Sequence, residues 1–474
     1  MGIHLSAMPL CIRDFRAEDA AEVARLFNES EEGWPGGLTG GVPYTPERVL
    51  EEFRRTNTIA HLVAELDGRI VGYLRLDRHW LGPDATYIAL LNVHPEYRGR
   101  GIGTRLLKEA IRRSIELGVD RVDLHTWPGN VRAIRLYKKL GFFWVPGTGV
   151  YMQNYLPAIL KLPPARAYFA RHPGALYSFK RELSIEEDDY KVWGRRTYVY
   201  SWEVDGDALK VYVDAYAWGV TGVEWREGAV ECYTDEPPIG RGLPFRVYWR
   251  LRNSGASPLR AVIMPMLDPG LSFKSKASPI LDVPPGGEEY ASAVLLVDPR
   301  AKPRPRGEPS RRIRSTVLLG DLALNLVTGF EEVPPLAASL IYPRAVPPGY
   351  RGELLLNIEN RLKRKAKFRI TLVAGEGISA RPVSRVITLG PREGVALPLE
   401  VEVGRRVEAG ELSIYYRADL GDASCEGGPV RVFFTCPSPE RVSWYYDPER
   451  EVLVLDRGDA ILRMELRGGR IIVS

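Results

Sequence analysis

The chain has 474 residues, of which 45% are hydrophobic and 26% charged, and its formal net charge is +5. That length is too great for one hydrophobic core and suits about three domains of ordinary globular composition. The slight positive charge calls for no nucleic-acid partner, and no stretch approaches the roughly 20 apolar residues of a membrane span.

Met1-Gly2-Ile3-His4 shows no basic stretch followed by an apolar run, so a cytoplasmic protein is expected. Ordered-looking sequence begins at Leu10, which makes Met8 an alternative start. Leu10 to Arg13 reads as a strand. Ala17 to Phe27 carries Ala20, Val23, Ala24 and Phe27 at helical spacing. A loop rich in glycine follows from Glu32 to Gly41. Thr45-Pro46 opens a second helix, with threonine as cap and proline in the first turn. Ala60 to Leu66 and Arg69 to Leu76 form a hairpin around Asp67-Gly68. Tyr87 to Val93 is a strand, Gly103 to Leu117 a helix and Arg121 to Thr126 a strand. Asn130 to Leu140 is a helix closed by Gly141, and Phe142 to Val145 and Val150 to Asn154 are final strands. Residues 8–157 are thus expected to form one mixed α/β domain.

Beyond Pro157 helical spacing almost vanishes, and short strands punctuated by Pro and Gly take over. Asn253 and Asn360 stand 107 positions apart, as do Gly270 and Gly377, each at the same place in a strand pattern. Such an offset fits tandem β-sandwiches resembling immunoglobulin-like modules at 240–332 and 333–436. Residues 165–239 are expected as an aromatic, β-rich segment or small domain, and 437–474 as closing strands. All six histidines lie at or before His172, so the β region has none for metal or triad chemistry. It reads as a set of acceptor-binding or protein-binding modules. The basic runs at 300–314 and 361–367 are expected to be solvated hairpin loops. Cys425 and Cys436 are expected to be free thiols.

The segment Leu91-Asn92-Val93-His94-Pro95-Glu96-Tyr97-Arg98-Gly99-Arg100-Gly101-Ile102-Gly103-Thr104-Arg105 leads from a strand into a helix. Unpaired N–H groups at a helix start, glycines that let an anion approach, and Arg98, Arg100 and Arg105 suit a diphosphate. A P-loop would need Gly-Lys-Ser/Thr, and a dinucleotide fold a third glycine, and neither is present. Arg98, Gly101 and Gly103 instead match Arg/Gln-x-x-Gly-x-Gly/Ala, the coenzyme A signature of the GNAT acetyltransferases. Downstream, Asn130, Ala133, Tyr137, Gly141 and Phe142 match that family's Asn-x-x-Ala-x-x-x-Tyr-x-x-x-Gly-Phe. Residues 10 to 155 therefore resemble a GNAT N-acetyltransferase domain.

The resemblance implies acetyl-CoA as cosubstrate, no metal, and direct acetyl transfer to an amine of a small molecule or protein. It implies that N–H groups of Leu91 and Val93 meet the thioester carbonyl, that Leu91, Asn92, Val93 and Arg98 to Arg105 with Asn130, Ala133 and Tyr137 hold the carrier, and that Tyr137 also protonates the departing thiolate. Relatives that act on ribosomal-protein N-termini have a glutamate five residues before the motif asparagine. Here His125 stands there and is the expected base, with Asp123, Tyr87 and a water chain as rivals. Glu29, Glu32, Trp34, Tyr44 and Tyr87 are expected to face the acceptor. The other reading is an acetyl-CoA-binding scaffold with little turnover.

Overall fold

The computed structural model describes residues 10–435 apart from 32–33, 55–56, 193, 277, 303, 306, 344 and 408, together with the backbone of 443–447, 452–456, 461–467 and 470–473. The first 154 residues supply one seven-stranded sheet. Its strands are β1 (Cys11–Asp14), β2 (Thr58–Leu66), β3 (Arg69–Arg78), β4 (Ala85–Val93), β5 (Arg121–His125), β6 (Phe142–Trp144) and β7 (Tyr151–Asn154), in the order β1-β2-β3-β4-β5-β7-β6. Among the described residues of this sheet the one parallel pair is β4 with β5.

Local chemistry explains the elements. In α1 (Ala20–Asn28) the residues Ala20, Val23, Ala24 and Phe27 are buried, as their spacing requires. Thr45 accepts a hydrogen bond from the Arg48 N–H and caps α2 (Pro46–Glu52). Asp67 and Gly68 both have positive φ, which turns β2 into β3 with the twist a hairpin prefers. Helix α3 (Ile102–Glu116) buries Ile102, Leu106, Leu107, Ala110, Ile111 and Ser114 on one stripe. Helix α4 (Val131–Lys139) buries Ile134, Tyr137 and Lys138. Two short helices, α5 (Leu156–Ile159) and α6 (Pro163–Arg171), lead into the remainder, which is almost wholly β.

The asparagine and glycine repeat marks two modules of identical strand order. In the first, one sheet runs Gly228–Thr234, Pro244–Asn253, Glu288–Val297, Leu271–Ser275, and the other Ile280–Val283, Leu259–Leu267, Ile313–Leu319, Leu322–Thr328. In the second they run Leu336–Tyr342, Arg351–Asn360, Gly394–Val403, Ile378–Arg381, and Ser384–Leu389, Ala366–Ala374, Ala409–Asp419, Ser424–Thr435. Asn253 donates to the carbonyls of Ser257 and Val283 and accepts from Gly255 N–H. Asn360 donates to Arg364 and Leu389 and accepts from Leu362 N–H. Each asparagine thus ties its strand end to two loops, and that need for buried partners is what the repeat records.

The expected division at 239/240 needs correction. Arg195–Val204, Asp207–Asp214 and Gly219–Trp225 join the first module's sheet through Gly228–Thr234, so the aromatic segment extends that sheet. One continuous core includes Phe143 and Tyr155 of the α/β domain with Tyr198, Tyr200, Trp202 and Trp249 of the β region. The second module has its own core. The last four strands form an antiparallel sheet. Cys425 is a free thiol, and Cys436 lies outside the described residues. No helix among the described residues is long and apolar enough to cross a membrane.

Candidate active site

Strands β4 and β5 pair only as far as Ile88 and Leu124. Ala89 has no partner in the register with β3, a bulge that turns β4 away from β5. From there the two strands splay, and a cavity of about 640 Å³ opens between them. Its walls include Ala89 to Val93, the 97–104 loop, His125 to Trp127, and one side of α4.

The main chain of β4 has a defined polarity here. The His94 N–H donates to Val71 in β3. Alternation along an extended strand then directs the N–H groups of Leu91 and Val93 away from β3, toward the cavity. The Val93 carbonyl points the same way and accepts from Arg98 Nε at 3.0 Å.

At the other wall, Gly101 caps α3 with φ +79°, a conformation open to glycine at little cost. Gly99 also has positive φ, and a Cβ there would lie 3.2 Å from the Arg132 guanidinium. Arg98, Gly99, Gly101, Ile102, Gly103, Thr104 and Arg132 all line the cavity. Partial desolvation and then the Arg132 charge lower the Arg98 pKa. Among the described residues no carboxylate forms an ion pair with either arginine, and no Asp or Glu lines the cavity. Two guanidiniums without an ion-pair partner among the described residues, at the mouth of a 15-residue helix, have the chemistry to attract an anion. The buried Asn92 side chain adds an amide donor, Nδ2, that has no hydrogen-bond partner among the described residues.

Tyr137 and Ala133 face the cavity from α4, with Asn130 at its start. Burial, and then the nearby Tyr87, raise the Tyr137 pKa far above its ordinary value, so the phenol keeps its proton. His125 lies at the end of β5 with Nδ1 3.2 Å from the Tyr87 hydroxyl. Its ring contacts Trp80, Tyr87 and Tyr151. Desolvation by these neighbours outweighs the pull of Asp123 and lowers its pKa. Asp123 itself is completely buried: Arg121 donates to both its oxygens, and Tyr151 and His79 to one of them. Burial works to raise its pKa, but the Arg121 charge and these donors hold it below the usual range. Asp123 does not line the cavity and its carboxylate is taken up by Arg121, Tyr151 and His79, which weakens it as a rival base.

Several expected residues lie elsewhere. Glu29 is held by Arg25 and His94. Tyr44 packs on Phe27, sits under Arg48 and donates to Glu52. Arg100 lies over the Tyr97 ring, and Arg105 donates to the Leu10 carbonyl. All four have local partners that draw them from the cavity. Glu32 lies outside the described residues. Trp34 does reach the cavity, 5.8 Å from Trp127. Arg132, Trp127, Arg121 and Tyr151 were not expected as site residues, whereas Asp123 was expected as a rival base. Arg132 stands inside the motif Asn130 to Phe142, where its charge was the available signal; its place beside Gly99 comes only with the fold.

Residues 23–142 match the family model described as Acetyltransferase (GNAT) family. That stretch is similar to GNAT acetyltransferases. Over 84 residues this chain is 37% identical to an uncharacterized N-acetyltransferase of Methanocaldococcus jannaschii, covering 17% of this chain and 37% of that one. Over 99 residues it is 37% identical to N-alpha-acetyltransferase 30 of Xenopus laevis, covering 21% and 36%. The chain therefore spans little more than a third of the length of these curated relatives. Among solved structures, the PaiA N-acetyltransferase of Thermoplasma acidophilum in complex with coenzyme A is 22% identical, with a TM-score of 0.27, over 31% of this chain and 99% of that one. A putative acetyltransferase of Salmonella typhimurium with its cofactor acetyl-CoA is 21% identical, with a TM-score of 0.26, over 31% and 93%.

Proposed function

We propose that the protein is a cytoplasmic, acetyl-CoA-dependent N-acetyltransferase acting on a primary amine of a small molecule or a protein. In this reading its tandem modules are immunoglobulin-like β-sandwiches that bind the acceptor or a protein partner. The carrying observation is one cavity that has the arginine and glycine helix mouth, Tyr137 and His125 along its walls. Arg98, Arg132 and the first N–H groups of α3 would hold the diphosphate of the carrier. Acetyl-CoA supplies the activated acetyl group as a thioester. The Leu91 and Val93 N–H groups stabilise negative charge on a carbonyl oxygen between the strands. Tyr137, protonated at neutral pH, donates to a sulfur leaving along α4.

His125 acts on the acceptor. With Nδ1–H donating to the Tyr87 hydroxyl, Nε2 is free to take a proton from an ammonium or an intervening water. The lowered His125 pKa keeps this nitrogen unprotonated at neutral pH. The test is thiol release from acetyl-CoA by the full chain with a panel of amines and peptides. Turnover with an acceptor supports the transferase. Tight coenzyme A binding without turnover on any acceptor would overturn it in favour of a scaffold.

A further inference from the structure

One turn of the β region reaches the back of the acceptor-side residues. Asp214 ends a strand, and the N–H groups of Tyr216 and Ala217 fold back onto its carboxylate at 2.8 and 2.9 Å. Arg195, Thr328 and the Gly329 N–H bind the same buried carboxylate. Arg312 holds the Ala217 carbonyl at 3.0 Å. The clamped turn presents Trp218 with φ +56°, a left-handed conformation rare for a bulky residue. Such a conformation persists where its surroundings over-determine it.

The Trp218 indole faces into the α/β domain and is 7% exposed. Its ring centre lies 4.7 Å from the Arg121 guanidinium carbon and 6.1 Å from the Tyr151 ring. Arg121 grips Asp123, Tyr151 donates to Asp123, and the Tyr151 ring lies 4.5 Å from His125. Contacts therefore run without a gap from Trp218 through Arg121, Asp123 and Tyr151 to His125.

We propose that Trp218 is a positioning residue of the transferase: its indole seats Arg121, so that Arg121, Asp123 and Tyr151 hold the His125 imidazole at the acceptor end of the cavity. The inference rests on the reading of His125 as the base. An indole face is the strongest aromatic seat for a guanidinium, the more so when water is excluded. The β region is then part of the catalytic architecture as well as a binding appendage. The titratable and aromatic groups facing His125 are Tyr87 from β4, His79 and Trp80 from the segment after β3, Asp123 from its own strand and Tyr151 from β7. The Asp123 charge favours the imidazolium, and Arg121 offsets that charge. Unseating Arg121 leaves Asp123 less compensated and raises the pH at which His125 takes up a proton.

The test uses the full chain with 13C-labelled histidine and follows each imidazole Cε1–H signal against pH. The His125 signal is the one lost in His125→Asn. Trp218→Leu keeps apolar bulk and removes the π face, and its His125 midpoint should rise by about half a pH unit or more. Trp218→Phe should stay near the wild-type midpoint. A wild-type midpoint in Trp218→Leu overturns the assignment, and so do equal shifts in both variants. If the leucine variant does not fold, Trp218→Met, whose flexible chain fills irregular space, is read in its place. Calorimetry with coenzyme A checks that the cavity is intact in each. The reading of His125 as base fails separately, if His125→Asn turns over acceptors at the wild-type rate whatever Trp218 does to the titration.

Discussion

Tyr200, on a strand of the β region, donates its hydroxyl to the carbonyl of Gly141 at 2.7 Å and accepts from the Tyr155 N–H at 3.0 Å. All three residues sit in buried surroundings, and Gly141 is the family-motif glycine that ends α4. Tyr200→Phe would leave a carbonyl and an N–H without partners. The cost expected is about 1–3 kcal/mol per orphaned group. Denaturant unfolding of the full chain measures it, and an unchanged midpoint would show the joint to be dispensable.

The same joint shows where sequence reading succeeds and where it stops. Short-range rules were sufficient for Thr45 as a cap, Asp67-Gly68 as a hairpin turn and Gly141 as a helix stop, because each depends on backbone chemistry within a few residues. Arg98, Gly101, Gly103 and Tyr137, read from the sequence as one signature, line one cavity in the fold. The contact of Tyr200 with Gly141 joins residues 59 apart in sequence, and nothing local announces it. Glu29 and Tyr44 looked available for an acceptor; Arg25 is an i,i+4 partner of Glu29 at the end of α1, but His94 reaches Glu29, and Tyr44 packs on Phe27, only once the chain folds. The boundary at 239/240 failed for a related reason. A strand's alternation is the same whether it begins a new sheet or extends an old one.

Tyr137→Phe removes a hydroxyl that has no hydrogen-bond partner among the described residues and keeps the ring that packs on Phe142. Affinity for acetyl-CoA should change little. Turnover should fall about a hundredfold or more, the usual contribution of a general acid. Comparing kcat with a calorimetric Kd checks this, and unchanged turnover would remove the acid assignment.

Arg98→Ala and Arg132→Ala each delete a guanidinium at the helix mouth that has no ion-pair partner among the described residues. A hydrogen bond to a charged group contributes about 1.5–3 kcal/mol, so each should weaken coenzyme A roughly tenfold or more. Acetylpantetheine, which has no diphosphate, should lose nothing. Equal losses for both ligands would place the effect on folding.

Asp123→Asn keeps the shape of the buried network but leaves Arg121 without its counter-charge. Breaking a buried pair on one side typically costs about 3–5 kcal/mol. Thermal and denaturant unfolding should show a loss of that order. A loss no larger than that of an exposed pair, such as Lys180–Glu203, would mean that water reaches Arg121.

The pH dependence follows from the sign of the His125 shift. Desolvation lowers its pKa below the ordinary value of 6.5, so the unprotonated, proton-accepting form prevails at neutral pH. As pH falls through the shifted value, the imidazole charges and transfer stops. With an amine that turns over, kcat/KM corrected for the fraction of neutral amine should be level near pH 7 and decline on an acid limb below 6.5. kcat/KM reports groups of the free enzyme, so the limb should coincide with the titration of the unliganded imidazole. His125→Asn should lower the plateau and remove the limb. A limb that survives the substitution would transfer the role of base to another group in the Tyr87–His125 cleft.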